Sequence, residues 1–190
     1  LPGIWAQRVF APWPDMAEGL SRHGLMLASL EEKRPLNDFD VVGFSLMYEL
    51  AFTTVVRMLK LGGIPVHAGD RLGSDPIVIA GGTAMSNPAP VLPFFDLIVI
   101  GDGEEVIAEM AAVCLETLDR SERIAAMAQI PGVHRPGDPA RPMRRILADL
   151  DRWPFPSAMV MPNTAIVHDR LGVEVARGLA NYSAAEAESY

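Results

Sequence analysis

The chain has 190 residues, 49% of them hydrophobic and 21% charged, which is enough apolar material for one core of its own and excludes wholesale disorder. Its 24 acidic and 16 basic residues give a net charge of −8, so the basic surface that displaces counterions from nucleic acid is absent. One cysteine, Cys114, excludes an internal disulfide and any metal site built from cysteines alone.

No stretch approaches the roughly 20 consecutive apolar residues of a membrane helix, and runs such as Leu97–Ile100 are strand-sized. The opening Leu-Pro-Gly-Ile-Trp carries no signal-peptide pattern, so a cytoplasmic protein is expected. The missing methionine suggests a piece of something longer.

Gln7–Phe10 is short and β-compatible, and Pro12 and Pro14 end it. Asp15 is placed to cap a helix to about His23, closed by Gly24, and Leu25–Leu27 reads as a short strand. Asp40–Leu46 is an apolar run of the buried-strand type. Helical spacing follows from about Tyr48 through Leu50, Val55, Met58, Leu59 and Leu61, until Gly62-Gly63 stops it. Pro76–Ala80 is a strand ending in Gly81-Gly82, and Asn87–Pro90 a short helix or turn. Asp96–Ile100 is a further strand, ending in Gly101-Asp102-Gly103. Glu104–Leu118 then reads as a helix with acids in its first turn, and Ser121–Gln129 as another. Strands alternating with helices predict an α/β fold, a flavodoxin- or Rossmann-like parallel sheet with helices on both faces.

From Pro131 to Pro162 prolines punctuate a surface-crossing segment, with a late strand over Leu171–Ala176 and an unordered tail over Ala180–Tyr190. The expected division is an α/β domain over 1–138, a linker and strand over 139–179, and the tail over 180–190.

In open α/β sheets ligands bind beyond the carboxyl ends of the strands, where strand order reverses. Three strand ends here carry small residues, at Ser45, at Gly81-Gly82-Thr83 and at Gly101-Asp102-Gly103-Glu104. Glycine lets backbone approach a ligand and exposes amide donors, which makes these eight residues the candidate crevice. Tight βα turns use glycine for their own geometry as well, so both readings stand on pattern alone. Glu104 and Glu105 suit a helix N-terminus better than acid–base work.

Other chemistries find no support. No dinucleotide fingerprint follows a strand, no phosphate-loop lysine is present, and His23, His67, His134 and His168 lack metal-ligand spacing. Cys114 sits between Val113 and Leu115 as a buried, inert thiol. No serine–histidine–acid set can be assembled.

The ordered series Arg8–Met16, Asp38–Leu46, Tyr48-Glu49-Leu50, Ile79–Gly82, Asn87–Pro90 and Ile100–Glu105 resembles radical SAM proteins that carry a cobalamin-binding-like domain ahead of the catalytic barrel. The resemblance covers about Gln7–Gly178 and implies cobalamin as a cofactor, with Ser45 at a strand end and Gly81-Gly82 against its nucleotide tail. It also implies the barrel as a partner, and a four-iron, four-sulfur cluster with S-adenosylmethionine in the intact family protein.

Two departures carry expectations. Leu179 stands where the family's Cys-x-x-x-Cys-x-x-Cys motif would begin and Ala180–Tyr190 holds no cysteine, so this chain alone should not cleave S-adenosylmethionine. A frameshifted or truncated gene end would account for that change. The family places a strand and helix ahead of Arg8–Asp15, and without that first strand an open sheet edge and self-association are expected. No Asp-x-His-x-x-Gly motif occurs, so any bound cobalamin would lack a protein histidine on cobalt. A flavodoxin-like docking module without a ligand is the alternative.

Overall fold

The computed structural model describes residues 2–116, 119–139, 143–153 and 163–164. It divides into two units, Leu1–Leu150 and Asp151–Tyr190. A 3-10 turn over Leu150–Arg152 falls at the division. The strand expected over Leu171–Ala176, the cluster lead-in and the tail lie outside the described residues.

The first unit is built on three parallel strands, β1 (Val41–Ser45), β2 (Ile77–Gly81) and β3 (Leu97–Val99). Each comes from an unbroken apolar run, the signature of a strand covered on both faces. Val41 aligns with Ile77 and Ser45 with Gly81, while Ile79 aligns with Leu97. A fourth strand, β4 (Val133–His134), runs antiparallel to β3, with Val99 opposite Val133. Two residues are too few to show a period, and β4 was not expected. The strands lie in the order β1-β2-β3-β4, so strand order does not reverse among the described residues.

Successive strand residues point to opposite faces, and this splits the core in two. On one side Val42, Val78, Ala80 and Ile98 pack with Val55, Met58 and Leu59 of α2 (Phe52–Leu61). The other side joins Ile77, Ile79, Leu97 and Val99 to Val106 and Met110 of α3 (Glu104–Glu116) and to Ile124 and Met127 of α4 (Arg120–Met127). Leu59 is wholly buried, so truncating it to alanine should cost roughly 2–5 kcal/mol. The expected α/β architecture with helices on both faces is present.

Local chemistry sets most boundaries. Helix α1 of this chain order, Pro14–Arg22, starts with proline in its first turn and carries Asp15 there, with Trp13 rather than Asp15 at the cap position. A 3-10 turn over Glu49–Ala51 leads into α2, which ends at Gly62. Asp119 caps α4 by accepting hydrogen bonds from the Ser121 and Glu122 amides. The expected strands at Gln7–Phe10 and Leu25–Leu27 do not form. Those segments are held by isolated backbone bonds instead, Leu30 N–H to the Arg8 carbonyl and Leu27 N–H to that of Leu61, both 2.8 Å. No helix among the described residues is long and apolar enough to cross a membrane.

Candidate functional site

The three glycine-bearing turns lie at the carboxyl end of the sheet, where the sequence placed a ligand crevice. Ser45 ends β1 and is exposed. Beyond it the Leu46 amide donates to the Gly81 carbonyl at 2.8 Å, and the Ala84 amide donates back to Leu46 at 3.0 Å. Gly82 adopts φ +102, and a β-carbon there would run into the Leu46 backbone, with its nitrogen and carbonyl carbon both at 2.9 Å. The Thr83 hydroxyl donates to the Met47 carbonyl at 2.6 Å. The second turn is therefore clamped to the first, and the close approach that only glycine allows is made by the chain's own backbone.

The third turn is taken up the same way. Gly101 has φ +107, and a β-carbon there would overlap Arg145, whose nitrogen lies at 2.7 Å. The Arg145 amide donates to Ile100 and its carbonyl accepts from Asp102, both at 2.9 Å. The Asp102 carboxylate accepts from the Leu147 amide at 2.9 Å. The Arg145 guanidinium reaches Glu105 at 2.5 and 3.0 Å and Glu109 at 2.8 Å, side by side on α3. Hydrogen bonding to Glu105, helped by Glu109, raises the pKa of that guanidinium against the opposing effect of desolvation.

The eight candidates thus come to one end of the sheet but do not stand open together. Gly82, Thr83, Gly101 and Asp102 hold internal contacts. Gly81 lies in the ladder opposite Ser45, a β-carbon at Gly103 would meet Ile107 at an ordinary 3.7 Å, and Glu104 is half-buried in the first turn of α3. Ser45, Gly82, Thr83 and Gly101 are exposed, as is Gly43 one pleat back from Ser45, where a β-carbon would meet nothing within 4 Å. The same end carries large exposed apolar side chains: Met47, Tyr48 and Leu50 after β1, Ile107 in α3 and Ile146 beside Arg145. Leu50 is 84% exposed.

These three turns carry no histidine or cysteine that could ligate cobalt or iron. His67 packs against Phe94 at 5.4 Å between ring centres, His134 lies in β4, and His23 follows α1. No group of three metal-ligating side chains occurs among the described residues. Burial pushes the Cys114 thiol above its ordinary range, and one cysteine cannot replace the three thiolates of the cluster.

At the opposite, amino end of the sheet lies the feature that sequence reasoning missed. One oxygen of Asp96, Oδ2, takes Nη1 of Arg71, Nη2 of Arg120 and the Val78 amide, each at 2.8 Å. Arg71 also donates to the carbonyls of Pro65, Val66 and Phe94. The partners lie 25 and 24 positions from Asp96, so no local motif could announce them. A cavity of about 350 Å³ opens beside this triad, lined by Asp38, Asp40, Asp75, Arg120 and Arg123 among others. Arg123 pairs with Asp40 at 3.0 Å on the wall of this cavity.

The family model described as "Radical SAM proteins, N-terminal" matches residues 1–136, well over half of the chain. The chain belongs to that family. No curated protein and no solved structure matches it. In this radical SAM N-terminal domain the matched span takes in every strand of the sheet and all eight candidate residues. The Arg145 crossing lies beyond it.

Proposed function

We propose that this radical SAM N-terminal domain is a docking module, and that the carboxyl-end rim of its sheet packs against the catalytic barrel of the intact protein. The observation that carries this is the pairing of committed turns with an uncommitted apolar rim. Gly82 and Gly101 pack one side against the backbone of Leu46 and Arg145, while Met47, Tyr48, Leu50, Ile107 and Ile146 face solvent around them. Fifteen large apolar side chains are exposed among the described residues, and these five stand near one another at this end, as on a surface that another protein layer covers. A role without catalysis of its own also accords with the lack of a nucleophile–base pair in the sequence.

A second reading keeps the corrinoid, and the bare Gly43–Ser45 ledge favours it. A flat ring could lie there against backbone, with Ser45 as a hydroxyl partner and no protein ligand on cobalt. That chemistry would belong to the corrinoid, with these residues only binding and orienting it.

Titrating the folded 190-residue chain with hydroxocobalamin and following visible absorbance separates the two. Docking predicts a flat response. A spectral change that saturates near one equivalent, and is lost in Gly43→Trp, overturns it in favour of the corrinoid.

A further inference from the structure

We infer that the carboxyl end of β3 carries a docking seat for an extended, arginine-bearing segment of a partner protein, and that the chain's own Arg145-Ile146-Leu147 fills that seat in cis. Strand β4 covers the outer edge of β3 only as far as Gly132, whose carbonyl accepts the Ile100 amide at 2.8 Å. Past that point the edge is left to another segment, and Arg145 takes the place in a parallel bridge with Gly101. Main-chain pairing of this kind supplies affinity in peptide recognition, while side-chain pockets supply selectivity.

The seat reads backbone and side chain together. Ile100 offers its carbonyl to the Arg145 amide, and Asp102 offers its amide to the Arg145 carbonyl and its carboxylate to the Leu147 amide, each at 2.9 Å. Two glycines make room for this approach. A β-carbon on Gly101 would strike the Arg145 carbonyl, and one on Gly132 would lie 2.7 Å from the Arg145 β-carbon. Glu105 and Glu109, one helical turn apart on α3, close on the guanidinium at 3.0 and 2.8 Å. Neither carboxylate has another ion-pair partner among the described residues. Left empty, the seat would hold two like charges one turn apart, which repel. A cation relieves them, and a guanidinium, with its donors spread in one plane, reaches both at once.

Seat and occupant are separate pieces of chain. Ile100, Gly101, Asp102, Glu105, Glu109 and Gly132 fall within residues 1–136, which the family model matches, and Arg145 falls beyond. The carboxylates are 38% and 40% exposed, so water competes for the guanidinium and the strap opens without disturbing the buried core. A segment tethered in cis competes at an effective concentration on the order of millimolar, which keeps outside segments off until the strap is withdrawn. The seat is made of backbone and carboxylates, and it holds whether or not the apolar rim packs on the barrel.

Fluorescence anisotropy with a fluorescein-labelled peptide of residues 143–149, titrated with the 190-residue chain, tests the inference. Arg145→Ala removes the anchor of the cis strap, and this variant should bind the peptide at least about tenfold more tightly than the parent does. Arg145→Lys keeps the charge without the planar fork and should fall between the two; it stands in where circular dichroism shows Arg145→Ala unfolded. Adding Glu105→Gln and Glu109→Gln to Arg145→Ala should weaken the peptide at least about tenfold. Citrulline at the place of Arg145 in the peptide should weaken it as much. Citrulline at the place of Arg144 should change affinity less than about threefold, although both peptides then carry the same charge. Equal affinity for the parent and both Arg145 variants, no binding to any of them, indifference to the paired glutamine substitutions, or equal binding of the two citrulline peptides would each overturn the inference.

Discussion

Replacing Asp96 with asparagine should destabilise the domain more than any change at its surface ion pairs. Asp96 is 6% exposed, the Arg71 side chain fully buried and that of Arg120 14% exposed, so little water can replace the lost carboxylate. Burial already pushes the Arg71 pKa down, and the charge of Asp96 opposes that shift. Asp96→Asn keeps an acceptor for the Val78 amide but leaves Arg71 cationic among the carbonyls of Pro65, Val66 and Phe94, with only the more distant charge of Asp75 to offset it. Removing one member of a buried pair costs about 3–5 kcal/mol, and the retained acceptor places this case near the lower figure. Against a typical total of roughly 5–15 kcal/mol, that is a large fraction. At about 2–4 °C per kcal/mol for a domain of this size, the thermal midpoint should fall by roughly 6–12 °C. Urea and thermal unfolding followed by circular dichroism would measure it. Adding Arg71→Met should recover part of the loss, because the stranded charge goes with it. A loss below about 1 kcal/mol for Asp96→Asn, the scale of an exposed pair, would refute the reasoning.

Two further outcomes follow from the turns and the cysteine. Gly82→Ala combines a left-handed backbone with overlap on Leu46 and should cost at least about 2 kcal/mol, whereas Gly81→Ala meets Val99 at an ordinary 3.7 Å and should stay within about 1 kcal/mol; equal urea midpoints for the two would contradict the clamp. Because burial raises the Cys114 thiol above the usual 9.0, the native protein should react with a thiol reagent near neutral pH far more slowly than the urea-unfolded chain. The unfolded thiol ionises first, so this group contributes stability below about pH 9 that is lost as pH rises above it; native and unfolded labelling rates that match across pH 7–9 would count against this.

What the sequence made legible was whatever repeats over a short span. The apolar runs at Val41–Ser45, Ile77–Gly81 and Leu97–Val99 announce their strands, and the stripe through Val55, Met58 and Leu59 its helix. The turns after those strands were located, yet their use was not. Whether Gly82 faces a ligand or Leu46, and Gly101 a ligand or Arg145, depends on residues 36 and 44 positions away. The Arg71–Asp96–Arg120 triad was invisible for the same reason, each member reading alone as a surface charge. Gln7–Phe10 had the composition of a strand but no ladder to join, since β-propensity is decided by neighbours more than by the backbone itself.

The Arg145 crossing has a mechanical consequence. The chain returns to the carboxyl end of β3 and is fastened there by backbone bonds to Ile100 and Asp102 and by its grip on Glu105 and Glu109. Tension applied to the polypeptide past Leu147 is thus delivered to the turn before α3 and to the first turns of that helix. Those fastenings are few and only part-buried, so they yield before the buried strands do. Slack at Gly101 and Asp102 would loosen the end of β3 while leaving β1 and β2 paired.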